Sequence, residues 1–177
     1  MARRKGFAVW ITGMPASGKS TIAKVLRKAL LRRKIYVQIL DSDFIRKIIT
    51  PNPKYTERER DYFYNVLVWI GKLLVNNRIN IVFAATAHKR VFRDKARNTI
   101  SKFLEVYCDC PLEVCMKRDP KNLYKMALKG KINDLPGLQT PFEKPIKHHL
   151  RIETHEQIPE KNVSMIIKEL KRLKYIF

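Results

Sequence analysis

Short runs of β-branched, aromatic and aliphatic residues alternate along the chain with longer segments in which apolar positions recur every three or four residues. That alternation is the pattern of strands joined by crossover helices in a parallel α/β sheet. Strands are predicted at Phe7 to Thr12, Ile35 to Asp41, Ile79 to Thr86, Phe103 to Asp109 and His149 to Thr154. Most are apolar almost throughout, as expected of strands covered by helices on both faces. Helices are predicted at Lys19 to Arg33, Glu57 to Asn77, Lys89 to Ile100, Pro111 to Arg118 and Pro159 to Tyr175. In the last, Val163, Ile166, Ile167, Leu170 and Leu173 form one face opposite a lysine-rich one, and Val66, Leu67, Ile70, Leu73 and Leu74 form the expected stripe of the Glu57 helix. The stretch from Asp119 to Lys147 departs from the pattern. It is rich in Lys, Pro, Gly and Asn, with a short helical piece at Leu123 to Leu128. A loop this long inside a compact domain is usually functional, and it reads as a mobile lid, roughly 119–147.

The expectation is therefore a three-layer α/β fold with a mainly parallel five-stranded sheet, helices on both faces and a lid, in a single domain spanning 1–177. No apolar run is long enough to span a membrane, and the start at Met1-Ala2-Arg3-Arg4-Lys5 does not resemble a secretory signal. A cytoplasmic protein without a membrane partner is expected. Cys108, Cys110 and Cys115 fit no zinc spacing and are read as small buried residues at a strand end and on the next helix. Thirty-seven Lys and Arg against sixteen Asp and Glu give a formal charge of +21, a field that attracts nucleotides, sulfate and phosphate esters or RNA. Recognised nucleic-acid signatures are absent, so a nucleic-acid partner is not the favoured expectation.

The segment Gly13-Met14-Pro15-Ala16-Ser17-Gly18-Lys19-Ser20 satisfies G-x-x-x-x-G-K-[ST] between a strand pattern and a helix pattern. Gly13 and Gly18 permit close backbone approach, so successive amides can curl around a β-phosphate, and the following helix offers its positive end to the same anion. Lys19 is the candidate for the β- and γ-phosphates of ATP and Ser20 the candidate Mg²⁺ ligand, with Thr21 following in the same nucleotide-contacting run.

The second predicted strand ends in Leu40-Asp41-Ser42-Asp43. At the carboxyl end of a doubly wound sheet both aspartates face the ligand crevice. One carboxylate can hold the Mg²⁺ shell through water, and the other can accept the proton of an attacking hydroxyl. Capping a short helix is the competing explanation for either alone. Arg46 is a candidate anion contact on that helix, and no acidic residue ends the third strand. His88, His148 and His149 lack metal-ligand company and are read as polar surface histidines.

With these residues in place the chain resembles the adenylylsulfate kinase (APS kinase) family. Val9-Trp10-Ile11-Thr12-Gly13 with its phosphate loop, and Leu40-Asp41-Ser42-Asp43 before Ile45-Arg46, are similar to two of that family's segments. More specific is Phe103-Leu104-Glu105-Val106-Tyr107-Cys108-Asp109-Cys110-Pro111-Leu112-Glu113-Val114-Cys115, continuing through Arg118-Asp119-Pro120-Lys121-Asn122-Leu123-Tyr124-Lys125, and later Pro141-Phe142-Glu143-Lys144-Pro145. The resemblance implies phosphorylation of the ribose 3′-hydroxyl of adenosine 5′-phosphosulfate by MgATP. It implies Asp43 at the metal-linked water or acceptor hydroxyl with Asp41 supporting it, Arg46 and the lid lysine Lys125 at the acceptor, and Arg118 beside the ATP base. The nearest alternative is a related P-loop kinase acting on another small-molecule or RNA hydroxyl. A homodimer is a possible assembly. Ser42 replaces the family's central glycine, Asn65 to Gly71 lacks the family's acceptor arginine, and Ala84 to Arg90 replaces F-I-S-P-Y-R, with Thr86 at its serine and substrate side. Losing one charge-assisted partner of a bound anion costs about 1.5–3 kcal/mol, and Lys89 or Arg90 is expected to restore it.

Overall fold

The computed structural model describes residues 5–177, so the reading of the first four residues lies outside the described part. Five strands, β1 (Ala8–Thr12), β2 (Val37–Asp41), β3 (Asn80–Ala84), β4 (Phe103–Asp109) and β5 (Leu150–Glu153), form one sheet in the order β2-β3-β1-β4-β5. Every neighbouring pair is parallel. The helices are α1 (Lys19–Leu31), α2 (Ser42–Ile49), α3 (Glu57–Asn76), α4 (Arg90–Thr99), α5 (Leu112–Arg118), α6 (Leu123–Leu128) and α7 (Pro159–Arg172).

The central strand shows why its sequence is apolar on both sides. Along β1, Val9 and Ile11 point into a core shared with α1 and α7, while Ala8 and Trp10 point into a second core beneath α3 and α4. All five β1 residues are buried. In α7, Val163, Ile166, Ile167 and Leu170 are buried as expected, with Leu173 packed at the margin. In α3 the buried face is rotated from the expected stripe. It runs through Phe63, Tyr64, Leu67, Val68, Gly71 and Val75, whereas Leu73 is exposed and Ile70 and Leu74 lie at the edge. Aromatic rings near the start of the helix and a glycine in its last third set that rotation, because Gly71 lets the helix close onto Phe83 of β3. A Cβ there would fall 2.3 Å from the Phe83 ring.

The 119–147 segment is more organised than its composition suggests. Tyr124, Ala127 and Leu135 bury with Cys110 and Cys115 in a third small core, against which Met14 of the phosphate loop packs. The Tyr124 hydroxyl donates to the Pro15 carbonyl at 3.0 Å, and the Glu143 amide donates to the His88 carbonyl at 2.8 Å. The segment thus rests on the phosphate loop at one end and on the β3–α4 connection at the other.

Candidate active site

Between β1 and α1 the chain turns through Gly13 to Gly18. A Cβ on Gly13 would meet Ser17 Oγ at 2.6 Å and the Cys108 carbonyl at 2.7 Å, so only glycine fits beside β4. Gly18 caps α1 with φ 94° and offers no side chain to the first amides of the helix, which stay available to an anion. Lys19 folds back along the loop, its Nζ donating to the Gly13 carbonyl at 3.0 Å and the Met14 carbonyl at 2.7 Å. Burial is the main cause of its lowered pKa, with the Asp43 carboxylate acting in the opposite direction. A cation stripped of water in this way gains most from a phosphate beside it.

Asp41 ends β2 and serves two partners. Its Oδ1 accepts from the Asp43 amide at 2.9 Å, capping α2, and its Oδ2 accepts from the Ser20 hydroxyl at 3.0 Å. Capping and site chemistry, set against each other by the sequence, are both present in one carboxylate. Asp43 in the first turn of α2 reaches outward to Lys121 of the 119–147 segment, forming an ion pair. Burial pulls Lys121 down, but the hydrogen bond and charge of Asp43 outweigh it and leave its pKa raised.

A cavity of about 690 Å³ runs over this loop. Pro15, Ala16, Gly18, Lys19, Ser20 and Thr21 line it together with Asp43 and Thr86. Arg118 lines it at the far end, where its Nη2 donates to the Thr154 carbonyl at 2.7 Å and the Thr154 hydroxyl donates to the Ser17 carbonyl at 2.7 Å. Lys125 does not line that cavity and its side chain is exposed; Lys121, one turn earlier, does. Arg46 lies behind Asp43, outside the cavity, buried with its guanidinium 3.7 Å over the Phe63 ring and 5.3 Å from the Tyr55 ring. Its Nη1 sits 3.5 Å from Glu59 Oε1, and neither atom has a hydrogen-bond partner among the described residues.

Arg60 was not singled out by the sequence, yet it is buried beside Arg46. Its Nε donates to the Tyr55 carbonyl at 2.8 Å, its Nη2 pairs with Asp134 Oδ2 of the 119–147 segment at 2.6 Å, and it shares the Tyr55 ring at 5.4 Å. The signal was an arginine three and seven residues before Phe63 and Leu67, on the buried stripe of α3. The two cations expected to replace the family's arginine are engaged at the rim. Lys89 pairs with Glu57, and Arg90 with Glu143 at 3.7 Å.

The histidine reading needs correction at two positions: His88 is 3% exposed, packed toward Phe92 with ring centroids 5.8 Å apart, and half-buried His149 accepts the Glu105 amide on its Nδ1 at 3.1 Å. Burial, followed by the nearby Arg60 charge, lowers the His88 pKa to about 4. The cysteines are buried and unpaired as expected, and burial pushes the Cys108 and Cys115 thiols up to about 12. Among the described residues no group of three or more His, Cys, Asp or Glu is arranged to hold a metal. The Ser20 hydroxyl and Asp41 carboxylate do present hard oxygens 3.0 Å apart at the mouth of the phosphate loop. That donor set suits Mg²⁺, which keeps most of its shell as water and phosphate oxygen. Among the described residues no helix is long and apolar enough to cross a membrane.

The family model described as adenylylsulphate kinase matches residues 5–153. A probable adenylyl-sulfate kinase of Pyrococcus abyssi is 36% identical over 97% of this chain and 99% of its own length. An adenylyl-sulfate kinase of Halothermothrix orenii is 35% identical over 99% of this chain and 95% of its own. The structure of a Mycobacterium tuberculosis APS kinase in complex with AMPPNP and APS superposes with a TM-score of 0.89, at 29% identity, covering 96% of this chain and 99% of that one. With its phosphate loop, its paired aspartates and these relatives, the chain belongs to the adenylylsulfate kinase family of P-loop kinases.

Proposed function

We propose that the chain transfers the γ-phosphoryl group of MgATP to the 3′-hydroxyl of adenosine 5′-phosphosulfate, giving ADP and 3′-phosphoadenylylsulfate for sulfate assimilation. The observation that carries this reading is the chain of contacts from Ser20 through Asp41 to the Asp43 amide, which puts two carboxylates beside a phosphate loop. Mg²⁺, when bound by Ser20 and Asp41, offsets charge on the β- and γ-phosphates. Lys19 leaves the loop carbonyls to meet the same oxygens. Asp43 exchanges Lys121 for the acceptor hydroxyl and takes its proton as the ribose oxygen bonds to phosphorus and the bridging oxygen departs with ADP. Lys121 is then free to accompany the transferring group. Arg118 flanks the ATP base.

The acceptor side rests on Arg46, Arg60 and Tyr55, with Thr86 facing the cavity and Lys125 on the lid. Two guanidinium groups around an aromatic ring suit a ligand with a flat base and an anionic mixed anhydride. Arg60 supplies the buried cation that positions 65–71 lack. The whole chain acts as one kinase domain with 119–147 as its lid. The reading places it in the cytoplasm, where ATP is abundant and three buried free thiols stay reduced. It also extends to a homodimer, for which the exposed Tyr62, Trp69 and Leu73 on α3 offer an apolar face and sedimentation analysis is the check.

Coupled ADP release with a panel of alcohols tests the assignment. Adenosine 5′-phosphosulfate is expected to give the highest kcat/KM. Lys19→Ala and Asp43→Asn should each lower kcat by about a hundredfold or more, while Arg60→Ala should act mainly on acceptor KM. Turnover of another alcohol, with adenosine 5′-phosphosulfate at the ATPase background, would sink the assignment.

A further inference from the structure

At the end of the sheet opposite the phosphate loop a second, open cavity of about 880 Å³ is lined by cations from separate parts of the chain. Arg27 comes from α1, Arg33 and Lys34 from the turn after it, Arg78 from the turn after α3, Lys102 from the approach to β4, and Lys171 from α7. Lys5 adds another and accepts a backbone hydrogen bond from Lys102 Nζ at 3.4 Å. No Asp or Glu lines the cavity, and among the described residues none of these side chains belongs to an ion pair. Aromatic rings stand between them. Tyr36 is 76% exposed, and the Lys102 ammonium lies 6.0 Å from the Tyr175 ring centroid.

A parallel α/β fold gathers helix C-termini at this end, and their dipoles favour a cation at each. That accounts for a lysine or arginine per helix. It does not account for the Tyr36 ring left in water, nor for Lys34 and Arg78 held at φ 59° and 67°, where glycine or asparagine would sit with less strain.

We propose that this depression binds single-stranded nucleic acid. A chain of phosphodiesters matches cations spread over the cavity rim, and unpaired bases present the planar faces that Tyr36 and its neighbours can stack on. Free phosphate would leave the rings unused, and a flat lipid surface would leave the concavity unfilled. The site shares no lining residue with the kinase cavity, so both can be occupied together.

Fluorescence anisotropy of a labelled oligouridine of about 15 nucleotides, with the full chain and the kinase cavity saturated by a non-hydrolysable ATP analogue, is the test. Binding is expected, with log K falling linearly with log salt. Reversing Arg33, Lys34 and Arg78 to Glu should cost at least about tenfold in affinity and flatten the salt slope by about 2. Tyr36→Ala should weaken binding severalfold with the slope unchanged, a readout that survives if the triple variant misfolds. Kinase turnover of both variants should match the unaltered protein. The control Lys72→Glu, Lys147→Glu, Lys168→Glu carries the same charge change elsewhere. An equal loss in that control would reduce the effect to the whole molecule's field and overturn the site. So would absence of oligonucleotide binding at about 0.15 M salt, or binding to phosphatidylserine vesicles that oligouridine does not displace.

Discussion

His88 is a basic group held where a charge is unwelcome, against Phe92 and close to Arg60. Its pKa is lowered to about 4 in the folded chain, whereas in the unfolded chain it titrates near its ordinary value of 6.5. The unfolded state therefore binds the proton first as pH falls. Stability from this residue is complete above the unfolded value and is lost as the pH drops from there toward 4. Urea denaturation at a series of pH values should show a steeper decline through that window for the natural protein than for His88→Leu. Parallel curves would show that His88 is not the titrating group. The same residue shows the limit of reading polarity from sequence: a histidine in a loop is indistinguishable from a surface one until its neighbours are known.

At the scale of elements, α3 is the piece whose placement brings together the residues proposed for the acceptor side. One face closes on β3 at Gly71 while its first turns carry Glu59, Arg60 and Phe63 to Arg46. Gly71→Ala puts a methyl group into the space of the Phe83 ring. Ala is the better helix former, by roughly 1 kcal/mol, so propensity alone predicts a gain. Overpacking of a closed core costs about 1–3 kcal/mol, and with a 2.3 Å approach that term wins. A net loss of stability in urea is expected, together with a raised acceptor KM as the start of α3 moves. A more stable protein with unchanged KM would mean that the helix seats independently of this contact.

For the molecule as a whole, Glu105 in β4 is the knot between distant parts. It is 2% exposed, meets Arg93 Nε at 3.1 Å and also pairs with Arg97 of α4. Arg93 in turn donates to the Ala87 and Glu143 carbonyls, tying the β3–α4 connection to the 119–147 segment. Burial pushes Glu105 up and Arg93 down, and their mutual attraction works against both. Glu105→Ala leaves a buried arginine unpaired and should cost about 3–5 kcal/mol. Replacing Arg93 and Glu105 together by leucine should cost less than the single change if the unpaired charge dominates. A single-variant loss near that of an ordinary surface substitution would rule out the network as a structural knot.

Much of this protein was decided by one-dimensional information. A phosphate loop must be contiguous, because its amides act in succession, so Gly13 to Ser20 could be read directly. Strand and helix order followed from hydrophobic period, which each element carries within itself, and the five strands and the large helices fall within a few residues of their expected bounds. The Asp41 and Asp43 pair was legible for the same reason. What needed the tertiary structure was every property that depends on residues far apart in sequence. The rotation of α3 was set by Phe83 across the core, and the burial of His88 by Phe92 and the packed segment above it. Arg60 meets its partner Asp134 across 74 positions, and Lys121 meets Asp43 across 78. The net charge was a single sum in the sequence. Only folding the chain, which collects loop ends and helix C-termini on one side of a parallel sheet, turned part of that sum into a place.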